Sequence, residues 1–154
     1  MKSVLLIFSA TRVSEKALGL AVSAAKKDNA RLVVLYVIEP EIAEEIFDKF
    51  SDIGFIGDKP SEELAEAVMK EYRQRAYEVT GKAQVMAMEE GVGFDALIEQ
   101  GDFVEKSIET IERYKAGHVI VPKRKLSTLA KYFSRSRVDE LVSRLSCKVE
   151  VVED

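Results

Sequence analysis

SVLLIFSATRVSEKALGLAVSAAKKDNARLVVLYVI, residues 3–38, contains two apolar runs separated by one amphipathic segment. The runs 3–9 and 31–38 lack helical periodicity and predict buried strands. Between them, small apolar residues recur at helical spacing: Ala17, Leu18, Ala21, Val22, Ala24 and Ala25. Ser14 is a suitable cap for this helix, since its hydroxyl can accept a backbone hydrogen bond. Strand, helix and strand form a βαβ unit, whose crossover is almost always right-handed.

The remaining chain continues this alternation behind an insertion. Residues 39–60 are expected to carry a short amphipathic helix at 41–50 and a loop, which is either a lid or a packed insertion. The next elements are a helix capped by Ser61 that runs to about Glu90, a strand at 94–100, and a helix opened by Gly101-Asp102 and ended by Gly117. A strand at 118–121, a last helix burying Val138, Leu141, Val142 and Leu145, and a strand at 148–153 complete the chain. The pattern predicts a single-domain, three-layer α/β/α sandwich, residues 1–154, with a five-stranded parallel, Rossmann-like sheet.

Composition limits the possible functions. The chain has 154 residues, a formal net charge of -4, one cysteine and one histidine. A single cysteine excludes an internal disulfide framework and favours a cytoplasmic location, and the few soft ligands disfavour a zinc site. No apolar run reaches the length of a membrane span. Many Lys and Glu residues with a single Asn are typical of a thermophilic protein.

A basic segment stands out on this acidic chain. GHVIVPKRKLSTLAKYFSRSRV, residues 117–138, passes from an apolar strand through Pro122 into a segment without acids. Its charges are Lys123, Arg124, Lys125, Lys131, Arg135 and Arg137. Positive charge at the carboxyl end of a parallel strand favours anion binding, although charge runs are more often solvated surface.

Two strand orders are compatible with the pattern. In the order 3-2-1-4-5, residues 9–13 face the loop after Val121, whereas in the order 2-1-3-4-5 strand three lies beside strand one. The second order is that of receiver domains and flavodoxins. Receiver domains need acids after strand one, and flavodoxins need a glycine-containing loop there. The sequence Ser9-Ala10-Thr11 supplies neither, which disfavours both.

The chain resembles the universal stress protein family over essentially its whole length. The resemblance is carried by Ser14 to Leu18 after strand one, by the long insertion, by the Gly101-Asp102 turn and by the pattern from Ser136 to Val152. It implies the strand order 3-2-1-4-5. It also implies a homodimer through the last strand, with Val149, Val151 and Val152 at the edge.

Nucleotide-binding members of that family carry G-x-x-G, nine residues and G-[ST] after strand four. On this chain the glycines fall on Pro122, Lys125 and Arg135, and only the hydroxyl, Ser136, is kept. The family's aspartate at the end of strand one falls on Ser9. The sequence therefore resembles the branch that does not bind ATP. The candidate nucleotide or anion site comprises Ser9, Ala10, Thr11, Val37, Pro122, Lys123, Arg124, Lys125, Arg135 and Ser136.

These observations predict a non-catalytic stress-response protein without robust ATP binding and with no expected cofactor. One alternative is an ATP- or ADP-binding regulator that holds phosphate with basic side chains. Another is a nucleic-acid contact through residues 123–137, which the acidic composition disfavours. No nucleophile–base pair can be assembled from spacing. His118 has no adjacent acid, and Cys147 is interpreted as a buried structural thiol.

Overall fold

The computed structural model describes residues 2–40, 60–123 and 137–153. Its elements in chain order are β1 (Ser3–Ser9), α1 (Glu15–Lys27), β2 (Arg31–Ile38), α2 (Pro60–Glu89), β3 (Phe94–Gln100), α3 (Phe103–Tyr114), β4 (His118–Pro122), α4 (Arg137–Ser143) and β5 (Lys148–Val152). The five strands form one sheet in the order β3-β2-β1-β4-β5, and each neighbouring pair is parallel. The predicted order 3-2-1-4-5 is confirmed, and the order 2-1-3-4-5 is excluded.

Helices cover both faces of the sheet, as the apolar strands require. One face packs against α1 and α2 through Val4, Leu6, Phe8, Leu32, Val34 and Tyr36. The other packs against α3 and α4 through Leu5, Ile7, Val33, Leu35, Val119 and Val121. Both faces of β1 are buried along its full length because it lies at the centre of the sheet. Of the helices that the structure describes, none is long and apolar enough to cross a membrane.

Three helices end in the same way, with a left-handed residue that turns the chain back toward the sheet. Those residues are Asn29 (φ 50), Gly91 (φ 69) and Lys115 (φ 51). The following N–H then bonds five residues back: Ala30 to Ala25 at 2.8 Å, Val92 to Ala87 at 2.8 Å and Ala116 to Ile111 at 3.1 Å. This is the Schellman arrangement, and it satisfies carbonyls that the last helical turn would leave without donors.

The prediction that Gly117 ends its helix is wrong. The helix ends at Tyr114, and Lys115 is its C-cap residue. Glycine is the usual residue at a left-handed position, so a glycine two residues downstream was the stronger sequence signal. The structure accepts the left-handed lysine because Ala116, which follows it, is buried against the sheet.

Other boundaries also differ from prediction. α2 starts at Pro60 instead of after a Ser61 cap, in line with the preference for proline in the first helical turn. β4 extends through Pro122, and β5 stops at Val152. Val142 is 37% exposed instead of buried. Leu145 lies beyond the end of α4, where it packs against the core. The predicted helix at 41–50, the rest of the 41–59 insertion and the basic residues 124–136 lie outside the described residues.

Candidate functional site: the carboxyl ends of β1, β2 and β4

The chain makes a tight reversal immediately after β1. The Ser9 N–H donates to the Arg12 carbonyl and the Arg12 N–H donates to the Ser9 carbonyl, both at 3.1 Å. Ala10 and Thr11 form the tip and are partly exposed, whereas Ser9 is fully buried. Ser14 then caps α1 by accepting a hydrogen bond from the Ala17 N–H at 3.0 Å, as predicted. The reversal places Arg12 beside the end of its own strand.

Arg12 is the largest fully buried side chain in the described part of the protein and is 2% exposed. Its Nη1 donates to Glu39 Oε1 at 2.7 Å and to Ser9 Oγ at 3.0 Å. The guanidinium carbon lies 4.0 Å from the ring centroid of Phe103, which adds a cation–π contact. A buried charge requires such compensation, because leaving water costs several kcal/mol per ion.

Phe103 reaches this position through the turn between β3 and α3. The Gly101 N–H donates to the Ile38 carbonyl at 3.0 Å, which fixes the turn against the end of β2. Gly101 adopts φ 154, a conformation that favours glycine. Asp102 caps α3 by accepting from the Glu105 N–H at 2.9 Å, so Phe103 is the first helical residue. The predicted opening of this helix is therefore confirmed.

The neighbouring strand, β4, brings Pro122 and Lys123 to the same edge of the sheet. Pro122 is buried and pairs with Val152, and the Lys123 N–H donates to the Val152 carbonyl at 2.9 Å. The Lys123 ammonium forms an ion pair with Glu153. Hydrogen bonding to that carboxylate, and then its charge, raise the pKa of Lys123. Glu153 therefore holds the Lys123 charge on the β5 side of the sheet.

The structure brings only part of the predicted site together. Ser9 pairs in register with Val37, and Ser9 Oγ lies 3.4 Å from Thr11 Oγ1. Val37 is fully buried in the core beneath α3 and α4, so it packs in the core and is not accessible to a ligand. Arg124, Lys125, Arg135 and Ser136 lie outside the described residues.

Three residues of this region were missed by sequence reasoning. Arg12 was interpreted as part of a short connection, Glu39 as the start of the insertion, and Phe103 was not singled out. A signal existed for Arg12, since it is the one basic residue between a buried strand and the Ser14 cap. Its partners are remote in sequence, and only the fold brings Glu39 and Phe103 to it.

His118 does have an acid nearby, contrary to prediction. Its Nε2 lies 3.4 Å from Glu150 Oε1, which is also 3.4 Å from Lys148 Nζ. The His118 Nε2 is buried and makes no hydrogen bond to the described residues. Cys147 is half-buried at the edge of the core under α3 and α4. In residues 2–40, 60–123 and 137–153, no cluster of three or more His, Cys, Asp or Glu residues is placed to hold a metal ion.

Comparison with known proteins agrees with this architecture. The universal stress protein family model matches residues 1–153. A universal stress protein from Lactobacillus plantarum, UspA, superposes with a TM-score of 0.72 at 13% identity, covering 98% of this chain and 97% of that chain. A universal stress protein in complex with cAMP superposes with a TM-score of 0.65 at 18% identity, with coverage of 99% and 96%.

A third structure, a universal stress protein from Archaeoglobus fulgidus in complex with dAMP, gives a TM-score of 0.61 at 12% identity, with coverage of 98% and 97%. A search of curated proteins found no relative whose sequence matches this chain. The parallel sheet, its strand order and its two helical layers define an α/β sandwich of the Rossmann-like class. With the family model matched from residue 1 to residue 153, the chain belongs to the universal stress protein family.

Proposed function

We propose that this protein is a non-catalytic, regulatory stress-response protein that does not bind ATP robustly. The observation that carries the proposal is the buried Arg12–Glu39 ion pair beside Ser9, at the carboxyl ends of β1 and β2. Ligands of open α/β sheets enter at this edge. Here an internal cation and an internal carboxylate already make the contacts that a ligand would otherwise make.

Two further features support weak ATP binding. Ser9 stands where the family resemblance places an acid for the ribose, and its Oγ accepts a hydrogen bond from Arg12. Pro122 stands where the resemblance places the first loop glycine, and it lies inside the β4–β5 ladder. Proline has no N–H with which to bind a phosphate oxygen.

Isothermal titration calorimetry with ATP and magnesium near physiological salt tests the proposal. We expect a dissociation constant weaker than about 1 mM, equivalent to less than about 4 kcal/mol of binding free energy. A low-micromolar constant would show that the proposal is wrong. The relatives in complex with cAMP and dAMP favour one alternative, a nucleotide site built from side chains. In that case Lys125→Ala and Arg135→Ala should weaken the ATP binding that appears.

The proposal includes a homodimer that pairs through β5. This strand is an edge of the sheet, so one row of its backbone groups has no neighbouring strand within the described chain. Two copies related by a two-fold axis can pair antiparallel and satisfy each other's backbone. Charged side chains of this strand contribute little across the interface, because within the chain Lys148 contacts Glu150 and Glu153 pairs with Lys123.

A further inference from the structure

The Arg12 side chain is held in place independently of Glu39. The two Ser9–Arg12 backbone bonds fix the reversal, Ser9 Oγ accepts from Nη1, and Phe103 packs under the guanidinium. All three of these elements are buried. The protein therefore presents a fixed positive charge at the strand ends, and the planar guanidinium suits oxyanions, which it can bind with several N–H donors.

Glu39 is a different kind of partner. Its side chain is 13% exposed, against 2% for Arg12, so the carboxylate forms the solvent-facing side of the pair. Glu39 follows the last residue of β2 and lies outside the ladder that fixes the strand. Because Glu39 makes no ladder contact, rotation of this one side chain would remove its carboxylate from the guanidinium without disturbing the sheet.

We propose that Arg12 is the binding site for a phosphate group, free or as a phosphomonoester, and that Glu39 occupies this site in the resting protein. A buried arginine must keep an anionic partner, so Glu39 can leave only when another anion replaces it. The Ser9 and Thr11 hydroxyls, 3.4 Å apart, provide further donors beside the guanidinium for a tetrahedral oxyanion.

This replacement of Glu39 by phosphate takes place at the carboxyl ends of β1 and β2, where the proposed function places the Arg12–Glu39 pair instead of ATP. It therefore rests on the proposed function. Weak ATP binding by the parent protein is then the result of competition, since any anionic ligand must first displace an internal carboxylate. The proposed site rests on Arg12, which follows β1 and is buried, and it includes none of the basic residues 123–137.

The test is to neutralise the internal anion with Glu39→Gln, which keeps the size of the side chain. The matched control is Glu90→Gln, since Glu90 pairs with Lys26 at the same 2.7 Å, but with side chains 47% and 62% exposed. Melting temperatures are measured against increasing inorganic phosphate, with sodium chloride adjusted to hold ionic strength constant. Without phosphate we expect a fall of about 10 °C for Glu39→Gln and of less than about 2 °C for Glu90→Gln.

With phosphate, we expect Glu39→Gln to regain most of its lost melting temperature along a saturable curve, at least about tenfold tighter than any response of the parent protein. Glu90→Gln and the double variant Arg12→Met/Glu39→Gln should not respond. AMP in place of phosphate separates the two sources: tighter binding of AMP indicates a phosphomonoester, and equal binding indicates free phosphate. A folded Glu39→Gln protein that ignores both compounds overturns the proposal.

A second readout covers the case in which Glu39→Gln does not fold. The Arg12 Nε–H resonance of the parent protein, assigned by its loss in Arg12→Lys, is followed by NMR during a phosphate titration. A saturable shift supports the exchange, and an unchanged resonance at high phosphate overturns it. The two proposals fail in different experiments. Tight ATP binding by the parent protein contradicts the proposed function, whereas a Glu39→Gln protein that does not respond to phosphate contradicts only the replacement of Glu39 by phosphate.

Discussion

The burial of Arg12 carries an electrostatic cost that its neighbours must offset. A guanidinium at 2% exposure loses nearly all of its contact with water. The cost is offset by the Glu39 carboxylate at 2.7 Å, the Ser9 hydroxyl at 3.0 Å and the Phe103 ring at 4.0 Å. Nη1 makes both hydrogen bonds while the plane of the guanidinium stacks on Phe103, and a lysine side chain has no planar group for this stacking.

The substitution Arg12→Lys tests this geometry while keeping the charge. We expect it to lower the free energy of unfolding by about 2–4 kcal/mol, because lysine keeps the charge but loses the planar guanidinium that stacks on Phe103. Arg31→Lys is the control, since Arg31 makes a two-pronged pair with Asp95 whose side chains are 37% and 39% exposed. Equal, small losses in urea denaturation of the two variants would contradict the role of Arg12.

Tyr36 provides a pH-dependent prediction. Burial raises its pKa to about 12, with a smaller opposing effect of Arg75. Below about pH 10 the phenol is protonated in both the folded and the unfolded state, so the shift has no effect there. Between about pH 10 and about pH 12 the unfolded state loses its proton first, and the free energy of unfolding falls by about 2–3 kcal/mol.

Comparison with Tyr36→Phe isolates this contribution, because all other groups titrate alike in the two proteins. The free energy of unfolding, measured by urea denaturation from about pH 8 to about pH 11, should fall more steeply for the parent protein than for Tyr36→Phe. We expect the difference to reach about 1 kcal/mol at the upper end. Parallel profiles would show that the Tyr36 phenol ionises equally in both states.

At the level of single residues, the sequence predicts some members of the candidate site and misses others. Ser9 was predicted in the site because it ends a buried strand, at the position where the family resemblance places an aspartate. Arg12 was not, because a charged residue in a connection is ordinarily solvated, and its position before the Ser14 cap does not by itself indicate burial. Its environment depends on Glu39 after β2 and Phe103 at the start of α3, whose positions only the folded sheet determines.

At the level of elements, the strands were predicted more accurately than the helix ends. β1, β2 and β3 have the predicted bounds because their apolar or alternating runs are bounded by turn residues. The end of α3 was misplaced because a lysine takes the left-handed conformation that usually indicates glycine. The boundary of β4 was misplaced because proline, which normally disfavours a strand, lacks an N–H but still pairs beside Val152.

The edge of β5 gives a prediction for the dimer. The Val152 carbonyl bonds the Lys123 N–H, so it faces β4, and backbone direction alternates along a strand. The N–H of Val151 therefore faces the open edge. Val151→Pro removes this donor without breaking the β4–β5 ladder, whereas Val151→Ala keeps the donor and shortens the same side chain.

Sedimentation at micromolar concentration should give twice the 17.2 kDa chain mass for the parent and for Val151→Ala. Val151→Pro should give the mass of one chain. A parent protein that sediments as a monomer would rule out the dimer. A Val151→Pro protein that remains dimeric would place the interface elsewhere.

For the whole molecule, the layers of the sandwich could be predicted from the sequence, but the chemistry of the candidate site could not. Alternating strands and helices predicted the sandwich, and the family resemblance selected the order that the sheet has. Four residues of the expected site, Arg124, Lys125, Arg135 and Ser136, lie outside the described residues, as does the 41–59 part of the insertion. At the carboxyl ends of β1 and β2, the described residues form a buried ion pair. A loop open to phosphate was the alternative expectation for this edge of the sheet.

In the proposed function, the Arg12–Glu39 pair, and not an adenine nucleotide, occupies the carboxyl ends of β1 and β2. Crystals of the parent protein soaked in about 0.1 mM ATP with magnesium, about tenfold below the expected dissociation constant, provide the test. We expect density for the Arg12 guanidinium in hydrogen-bond contact with Glu39 and Ser9, and no nucleotide at these strand ends. An ordered ATP molecule there, with Arg12 turned away from Glu39, would contradict it.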